Sequence, residues 1–561
     1  MFSPSLIAMM VHSLGSQGLS PDRPTSPLPP MRFHQTKMGE LADFLSTGVK
    51  TRATGWPVIP ISGRTTREVK KLEDQAQQTF GSTAATDGGF FFWARVPLHH
   101  LVNLFASWYG LSAHVEYVDL GTPVRALGSG STYDQECQRL LNQSAAPNAA
   151  TVGAAIVDMG DLSSGGPDSY GGMLRHTVSS GVELSQHAEQ VLSVLLQRLA
   201  PVLRNTTVSC ALVKPPSRPI VVGRSCFDQA CTPEMQTAMQ ALATQLANDG
   251  LPAAVNLSLG THVGPHNGLS PLEQYVANTL ITTDRYVVAA AGNDGGTGCA
   301  AKRTMIADEP ETFGLRSGVS CEELLVEFWW DDATAKDVEV VADVYEIVQG
   351  GAMSNLATLT IDQTSAGMLT TTPVGLPGSM ATHSLFSAKC QNNFRCAAFA
   401  LSSGMPGQKL PLLHVQFKLT AKRDVTINSW IVIAEKNPCL TAFVEGGHEG
   451  SICVPASDPS VLSVAGLLST GKMWTGSSRG PSAEYDAAGT SAGSPHMAHL
   501  ADLGGGVFGT SFASPRACGD AVATLNSSKL SKCTSALTLL NETYQLGKLP
   551  WNPRFGYHKA K

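Results

Sequence analysis

The chain is predicted to be α/β: a doubly wound parallel sheet, preceded by a small α+β unit and interrupted by a long β-rich insertion. Three observations predict it. Residues 151–297 alternate short apolar runs with helical patterns, the signature of successive βα units. From 298 to 450 helical periodicity gives way to alternating β-type runs, and the α/β pattern resumes at 451. The 561 residues include 43% hydrophobic but only 15% charged side chains, enough for more than one sizeable core.

Each segment has its own reason. Residues 1–30 are rich in proline and serine and are expected to be a disordered tail. Residues 31–121 read as an α+β domain. The run 56–61 is extended, 66–79 has helical composition, 90–96 is aromatic and β-branched, 98–108 has helical apolar spacing and 114–120 is a strand. That order fits a ferredoxin-like unit. Residues 122–150, rich in glycine, serine and alanine, read as a linker. In 151–297 the expected strands are 152–158, 207–214, 253–259 and 286–291. The expected helices there are 185–199, 233–248 and 271–283. The insertion, 298–450, carries β-type runs at 324–329, 337–348, 410–420 and 424–434 and is read as a β-sandwich domain. Residues 451–561 complete the α/β domain with a core strand at 460–467 and a small-residue helix at 516–525.

Composition excludes several roles. The net charge is −6 and no basic stripe is present, so nucleic acid is not an expected partner. No apolar run approaches the eighteen or so residues that span a bilayer, so no membrane span is expected. The apolar stretch 6–11 is short and lacks preceding basic residues, a poor export signal. A cytoplasmic location with reduced thiols is therefore expected. The twelve cysteines form no CxxC; Cys226/Cys231 and Cys390/Cys396 are the close pairs, and no metal ligand set is assigned.

The chemistry concentrates in a few motifs. In Gly509-Thr510-Ser511-Phe512-Ala513-Ser514-Pro515, glycine permits a sharp turn, Thr510 and Ser511 suit a helix start, and proline is tolerated in a first turn. A serine there sits among unpaired N–H groups at the positive end of a helix dipole, where an oxyanion can be held. Asp158 ends the strand Ala154-Ala155-Ile156-Val157-Asp158, placed to orient a histidine. His187 opens a helix in Gln186-His187-Ala188-Glu189-Gln190-Val191. Asn293 follows Ala289-Ala290-Ala291-Gly292, and Ser258-Leu259-Gly260 ends another strand.

Together, in this order, these motifs resemble those of the subtilisin-like serine proteases, the subtilases of peptidase family S8. The resemblance covers 151–297 and 451–561. It implies a subtilisin-like sheet and an Asp158–His187–Ser511 triad, with Asn293 and the Ser511 N–H holding the oxyanion. It also implies a specificity pocket walled by Ser258, Leu259 and Gly260 on one side and Ala290, Ala291 and Gly292 on the other. The domain 31–121 takes the place of the family's propeptide, with cleavage expected in 122–150. Met159 departs from the family's hydroxyl residue after the aspartate, and Gln190 stands where a second histidine is usual. A near-copy of the serine motif, 489–495 with Ser491, follows the Ser477-Ser478-Arg479-Gly480-Pro481 loop too closely. Ser511 is preferred because 504–509 supplies a strand-like run before it.

The implied activity is endopeptidase cleavage of a polypeptide through an acyl-enzyme. The alternatives are a peptide ligase or cyclase on the same triad, or a non-catalytic binding protein on the same scaffold. The inserted β domain is expected to restrict or recruit substrates or bind a partner protein. No cofactor is implied; calcium is common in the family, but no ligands for it can be placed here.

Overall fold

The structure, a computed structural model, describes residues 31–32, 58–63, 83–85, 91–95, 115–118, 123–126, 139–140, 143–144, 149–162, 176–177, 182–184, 186–213, 229–317, 323–331, 337–348, 351–362, 368–373, 380–390, 394–402, 410–433, 441–444, 446, 450–480, 497–504, 507–527, 551–552 and 556–557. The chain divides into two compact units. One gathers residues 1–122, 218–224 and 297–447; the other gathers 123–217, 225–296 and 448–561.

The second unit holds β1 (Pro123–Ala126), β2 (Val152–Leu162), β3 (Thr206–Val213), β4 (Gln229–Cys231), β5 (Ala253–Leu257), β6 (Leu259–Gly260), β7 (Arg285–Ala290), β8 (Leu462–Leu467) and β9 (Met497–Leu500). Its helices are α1 (Gln186–Leu199), α2 (Thr232–Asp249), α3 (Pro271–Thr279) and α4 (Thr510–Ser527). The centre of the main sheet runs β9-β8-β7-β5-β2-β3, and each of these pairs is parallel. The connection from β2 goes to its neighbour β3, and the chain then returns to β5 on the other side of β2. That reversal is a topological switch point, where open α/β sheets build their sites at the carboxyl ends of the strands.

The central strands are buried on both faces, as in a sheet covered on both sides. All eight residues of β3 and all five of β5 are buried. Ala154 and Ile156 of β2 share a core with α1 and α4. In α1 the spacing of Ala188, Val191, Leu192, Leu195, Leu196 and Leu199 turns one stripe inward, while Gln197 and Arg198 stay outside. In α4 the buried stripe is small: Ala513, Ala517, Cys518 and Ala521. A Cβ on Gly519 would lie 2.7 Å from Cγ of Arg198 on α1, so glycine permits the close approach of these helices. On the opposite face the missing Cβ of Gly153 points toward Leu246 of α2, and Tyr275 of α3 donates its hydroxyl to the Gln236 carbonyl of α2 at 3.0 Å.

Four expectations change in this unit. Residues 123–126 of the expected linker form β1, because two strand edges flank them (see below). The strand at Asp158 continues to Leu162, its last residues pairing antiparallel with Val182–Leu184. Helix α3 stops at Thr279, with Leu280 closing the last turn, because the run Ile281-Thr282-Thr283 is β-branched and enters a turn bridged by Thr282 and Arg285. The main-sheet strand before the serine turn is β9; in the expected run 504–509, Val507–Phe508 is extended but pairs antiparallel with Asp502–Gly504 instead of joining that sheet. Ser491 lies outside the described residues.

The first unit contains two antiparallel sheets, of seven and five strands, and a four-stranded sheet. The four-stranded sheet has the order Thr83–Ala85, Phe91–Arg95, Val58–Gly63, Val115–Val118. The strands expected near 56–61, 90–96 and 114–120 are present; the helices expected at 66–79 and 98–108 and the tail 1–30 lie outside the described residues. The two larger sheets hold the β-type runs expected in 298–450. Their inward residues form one core in which Phe417 of the five-stranded sheet packs edge-on against Phe328 and Phe399 of the seven-stranded one, with centroids 5.0 and 5.6 Å away. The alternation along Val338–Ile347, buried at every second residue from Val338 to Val344, is that of a strand covered on one face. Among the described residues, no helix is long and apolar enough to cross a membrane.

Helix α3 carries a buried acid. Ser270 Oγ accepts from the Glu273 N–H, and Glu273 Oε2 accepts from the Ser270 N–H, a capping box with Pro271 in the first turn. Ser457 Oγ donates to Oε1 at 2.5 Å. Burial pushes the Glu273 carboxyl up from 4.5 to about 7, against the opposing effect of the Ser457 and Ser270 bonds and with a small push from Asp458. The folded state therefore holds a proton that the unfolded chain releases near 4.5. Stability should fall as pH rises through 4.5 to 7, by about 3 kcal/mol from this group. Glu273→Gln should flatten that window in denaturant unfolding measured at several pH values. An unchanged slope in the glutamine variant would refute the assignment.

Candidate active site

Two of the predicted residues meet directly. Asp158 lies where β2 leaves its parallel partners: β5 pairs as far as Val157 and β3 as far as Met159. His187 is the second residue of α1. Its Nδ1 is 2.8 Å from Asp158 Oδ1, and that oxygen also accepts the Met159 N–H at 2.7 Å. Asp158 is fully buried and His187 is 8% exposed. A carboxylate accepts only, so Nδ1 carries a proton, and in the neutral ring that leaves the lone pair on Nε2. Among the described residues Nε2 meets no hydrogen-bond partner. The ring lies 6.3 Å, centroid to centroid, from that of Phe512, the residue after Ser511.

Ser511 is the second residue of α4 and is fully buried. Its Oγ is 3.4 Å from the Ser258 carbonyl oxygen, to which it donates, so the structure has no Ser511–His187 hydrogen bond. Asn293 follows β7 and is only partly buried. Its Oδ1 accepts from both the N–H and the hydroxyl of Thr510, each at 3.0 Å. These donors fix which end of the amide is oxygen, leaving Nδ2 as a donor on the other side. Thr510 Oγ1 in turn accepts the Gly292 N–H at 3.1 Å. Gly292 has φ +114°, and a Cβ there would come within 2.5 Å of Cys453 Sγ and 2.7 Å of Ser478 Oγ. No side chain fits at that point of the expected pocket wall formed by Ala290, Ala291 and Gly292.

Beneath Ser511 lies a polar network that the sequence reading missed. In an α-helix the carbonyl of Ser511 would accept from residue 515, but Pro515 has no N–H. Ser258 Oγ takes its place, donating to the Ser511 carbonyl at 3.2 Å. Asn256 Nδ2 donates to Ser258 Oγ at 2.9 Å, which orients the hydroxyl, and Ser514 Oγ donates to Asn256 Oδ1. Asn256, Ser258, Ser511 and Ser514 are all fully buried. Pro515 was the available signal: a proline four residues after the serine orphans the serine's carbonyl.

An extended segment of the chain lies alongside. β1 is the central strand of a three-stranded antiparallel sheet, β4-β1-β6, with Ala126 opposite Leu259 and Arg125 opposite Gly260. Of Ser258, Leu259 and Gly260, expected to wall a substrate pocket, Leu259 and Gly260 thus pair with another extended segment, and Ser258 directly precedes them.

Comparison with known proteins agrees with this architecture. No family model matches the chain, and no characterised protein matches it by sequence. By structure it is similar to the Clostridium perfringens CspB protease, with a TM-score of 0.50 and 15% identity over 75% of this chain and 97% of that one. A cold adapted subtilisin-like serine proteinase aligns with a TM-score of 0.30 and 13% identity over 77% of this chain and all of its own. The chain has a subtilisin-like fold.

The Ser258 hydroxyl should matter because of the proline. Ser258→Ala leaves the buried Ser511 carbonyl without a donor and should cost about 1–3 kcal/mol in denaturant unfolding. In a Pro515→Ala background residue 515 regains its N–H, and the same change should cost measurably less. Equal costs in the two backgrounds would show that the hydroxyl does not replace the missing helix bond.

Proposed function

We propose that this chain is a serine endopeptidase that cleaves a polypeptide through an acyl-enzyme, with Asp158, His187 and Ser511 as its triad. The observation that carries the reading is the buried Asp158–His187 pair at 2.8 Å, whose Nε2 meets no partner among the described residues and whose ring lies near Phe512 in the first turn of the helix that bears Ser511. In this reading, rotation about the Ser511 side chain exchanges its bond to the Ser258 carbonyl for one to Nε2. His187 takes the hydroxyl proton as Oγ attacks the scissile carbonyl. Asp158 holds the imidazolium that results. The negative charge on the carbonyl oxygen is met by Asn293 Nδ2 and the Ser511 N–H, a group without an intrahelical partner in the first turn. His187 then passes its proton to the leaving amine, and water repeats the sequence on the ester.

Strand β1 supports a polypeptide substrate. A peptide recognised by strand addition gains affinity from main-chain bonds and selectivity from side-chain pockets. The edges of β4 and β6 accept such a strand, and β1 is read as standing in for substrate. Its direction carries the chain from Gly260 toward Ser258, whose carbonyl touches Ser511 Oγ. The α+β region before it is read as a ferredoxin-like propeptide and the 298–450 region as a β-sandwich that recruits or restricts substrates. Self-cleavage should fall just beyond Ala126, within residues 127–130.

Fluorophosphonate labelling tests the nucleophile. Label should be lost in Ser511→Ala and kept in Ser491→Ala; the reverse pattern, or no label on the native chain, would overturn this reading. Asn293→Ala should lower kcat by about 10²- to 10³-fold on a peptide substrate. Terminal sequencing of purified protein should find the new N-terminus just after β1, and Ser511→Ala should stay full length. Added amine acceptors should not divert the products; efficient amide formation would make the enzyme a ligase.

A further inference from the structure

Three buried side chains from separate segments converge behind Asn293. His262 follows β6, Asp294 follows Asn293, and Cys453 precedes β8. His262 Nε2 is 2.9 Å from Asp294 Oδ2, Cys453 Sγ is 3.6 Å from the same nitrogen, and Sγ is 3.8 Å from the same oxygen. The three residues are between 0% and 5% exposed. The chemistry of this set is specific. In a thiol–imidazole relay the carboxylate and the thiol would sit on opposite ring nitrogens. Here both sit on Nε2, so three ligand atoms surround a single point.

We propose that His262, Asp294 and Cys453 bind a divalent cation of the zinc type. Bonds of about 2.3 Å to sulfur and about 2.0–2.2 Å to nitrogen and oxygen, at tetrahedral angles, separate the ligand atoms by about 3.4–3.6 Å. The two sulfur distances lie close to this. The His262–Asp294 contact opens by roughly half an ångström as the ion replaces the proton they share. One thiolate, one imidazole and one carboxylate favour zinc over calcium or magnesium, which prefer oxygen alone. Three protein ligands leave a fourth position for water or another donor.

The backbone holds this geometry before any ion arrives. Thr261 and Val454 exchange both main-chain hydrogen bonds, at 3.0 and 2.8 Å, and the Cys453 N–H donates to the Ala291 carbonyl at 2.8 Å. The Asp294 N–H donates to Ser478 Oγ at 3.1 Å. The His262 ring is stacked on His266, 5.4 Å away and 17° from parallel, and Nδ1 of His266 is 2.6 Å from the Ile452 carbonyl oxygen. Segments 261–266, 291–294 and 452–454 are therefore tied to one another independently of the cluster. No local string marks this set, because the three ligands are far apart in the chain and Cys453 stands outside the close cysteine pairs.

The test uses the full chain carrying Ser511→Ala, stripped with a chelator and kept reduced, so that it stays intact whatever its activity. It should retain one equivalent of Zn²⁺ after desalting, and Co²⁺ in its place should give a thiolate-to-cobalt charge-transfer band. Cys453→Ser, close in size, should abolish that band while leaving the thermal unfolding of the metal-free protein cooperative. Asp294→Asn and His262→Gln should each lose the retained equivalent. Failure of the parent chain to retain metal, or a band unchanged in Cys453→Ser, would overturn the proposal. Neither outcome bears on whether Ser511 is a nucleophile.

Discussion

Helix α4 begins inside the protein, and that burial is the constraint on which the site depends. Its first turn offers unpaired N–H groups, and Pro515 removes the donor for the Ser511 carbonyl. At Thr510, Ser511 and Ser514 there is no exposure to water. Leaving such groups unmatched costs on the order of 1–3 kcal/mol each. The carboxyl ends of β5 and β7 answer with side chains: Asn256 and Ser258 from one, Asn293 from beyond the other. The serine is thus held by partners that have a structural reason to be where they are. Asn293 is held the same way, since committing its oxygen to Thr510 leaves its nitrogen as the outward donor.

The same helix must also come close to α1, which bears His187. Small residues along α4 and the absent side chain of Gly519 allow it. Arg198 of α1 crosses the gap to Asp520, with its stem against the glycine. His187 is oriented from its other side by Asp158, at the end of a strand whose parallel pairing stops there. Three elements that are distant in the chain, β2, α1 and α4, reach one place because the sheet reverses its winding between β2 and β5.

Much of this was readable in advance. Amphipathic spacing in 186–199 and the short, mostly apolar runs of β3 and β5 carry their own physics, and the helix opening at Thr510 follows from its glycine, hydroxyl and proline residues. Asp158, His187, Asn293 and Ser511 were each marked by a local string. What escaped reading depended on partners. Residues 123–126 look like linker because their composition is weakly β-forming; they become a strand where the edges of β4 and β6 offer main-chain bonds. The run 504–509 reads as the strand before the serine turn because Val507 and Phe508 are β-forming, while the main sheet takes Met497–Leu500.

By itself the sequence determined which residue types stand at strand ends and helix starts, because turn chemistry and apolar periodicity act over a few residues. Tertiary structure decided everything that needs two distant backbones at a fixed separation. That includes the tautomer Asp158 imposes on His187, the substitution of Ser258 for the hydrogen bond Pro515 cannot make, and the meeting of His262, Asp294 and Cys453. Side-chain contacts of a few ångströms are set by how packed layers register against one another, and no local string of residues encodes that register.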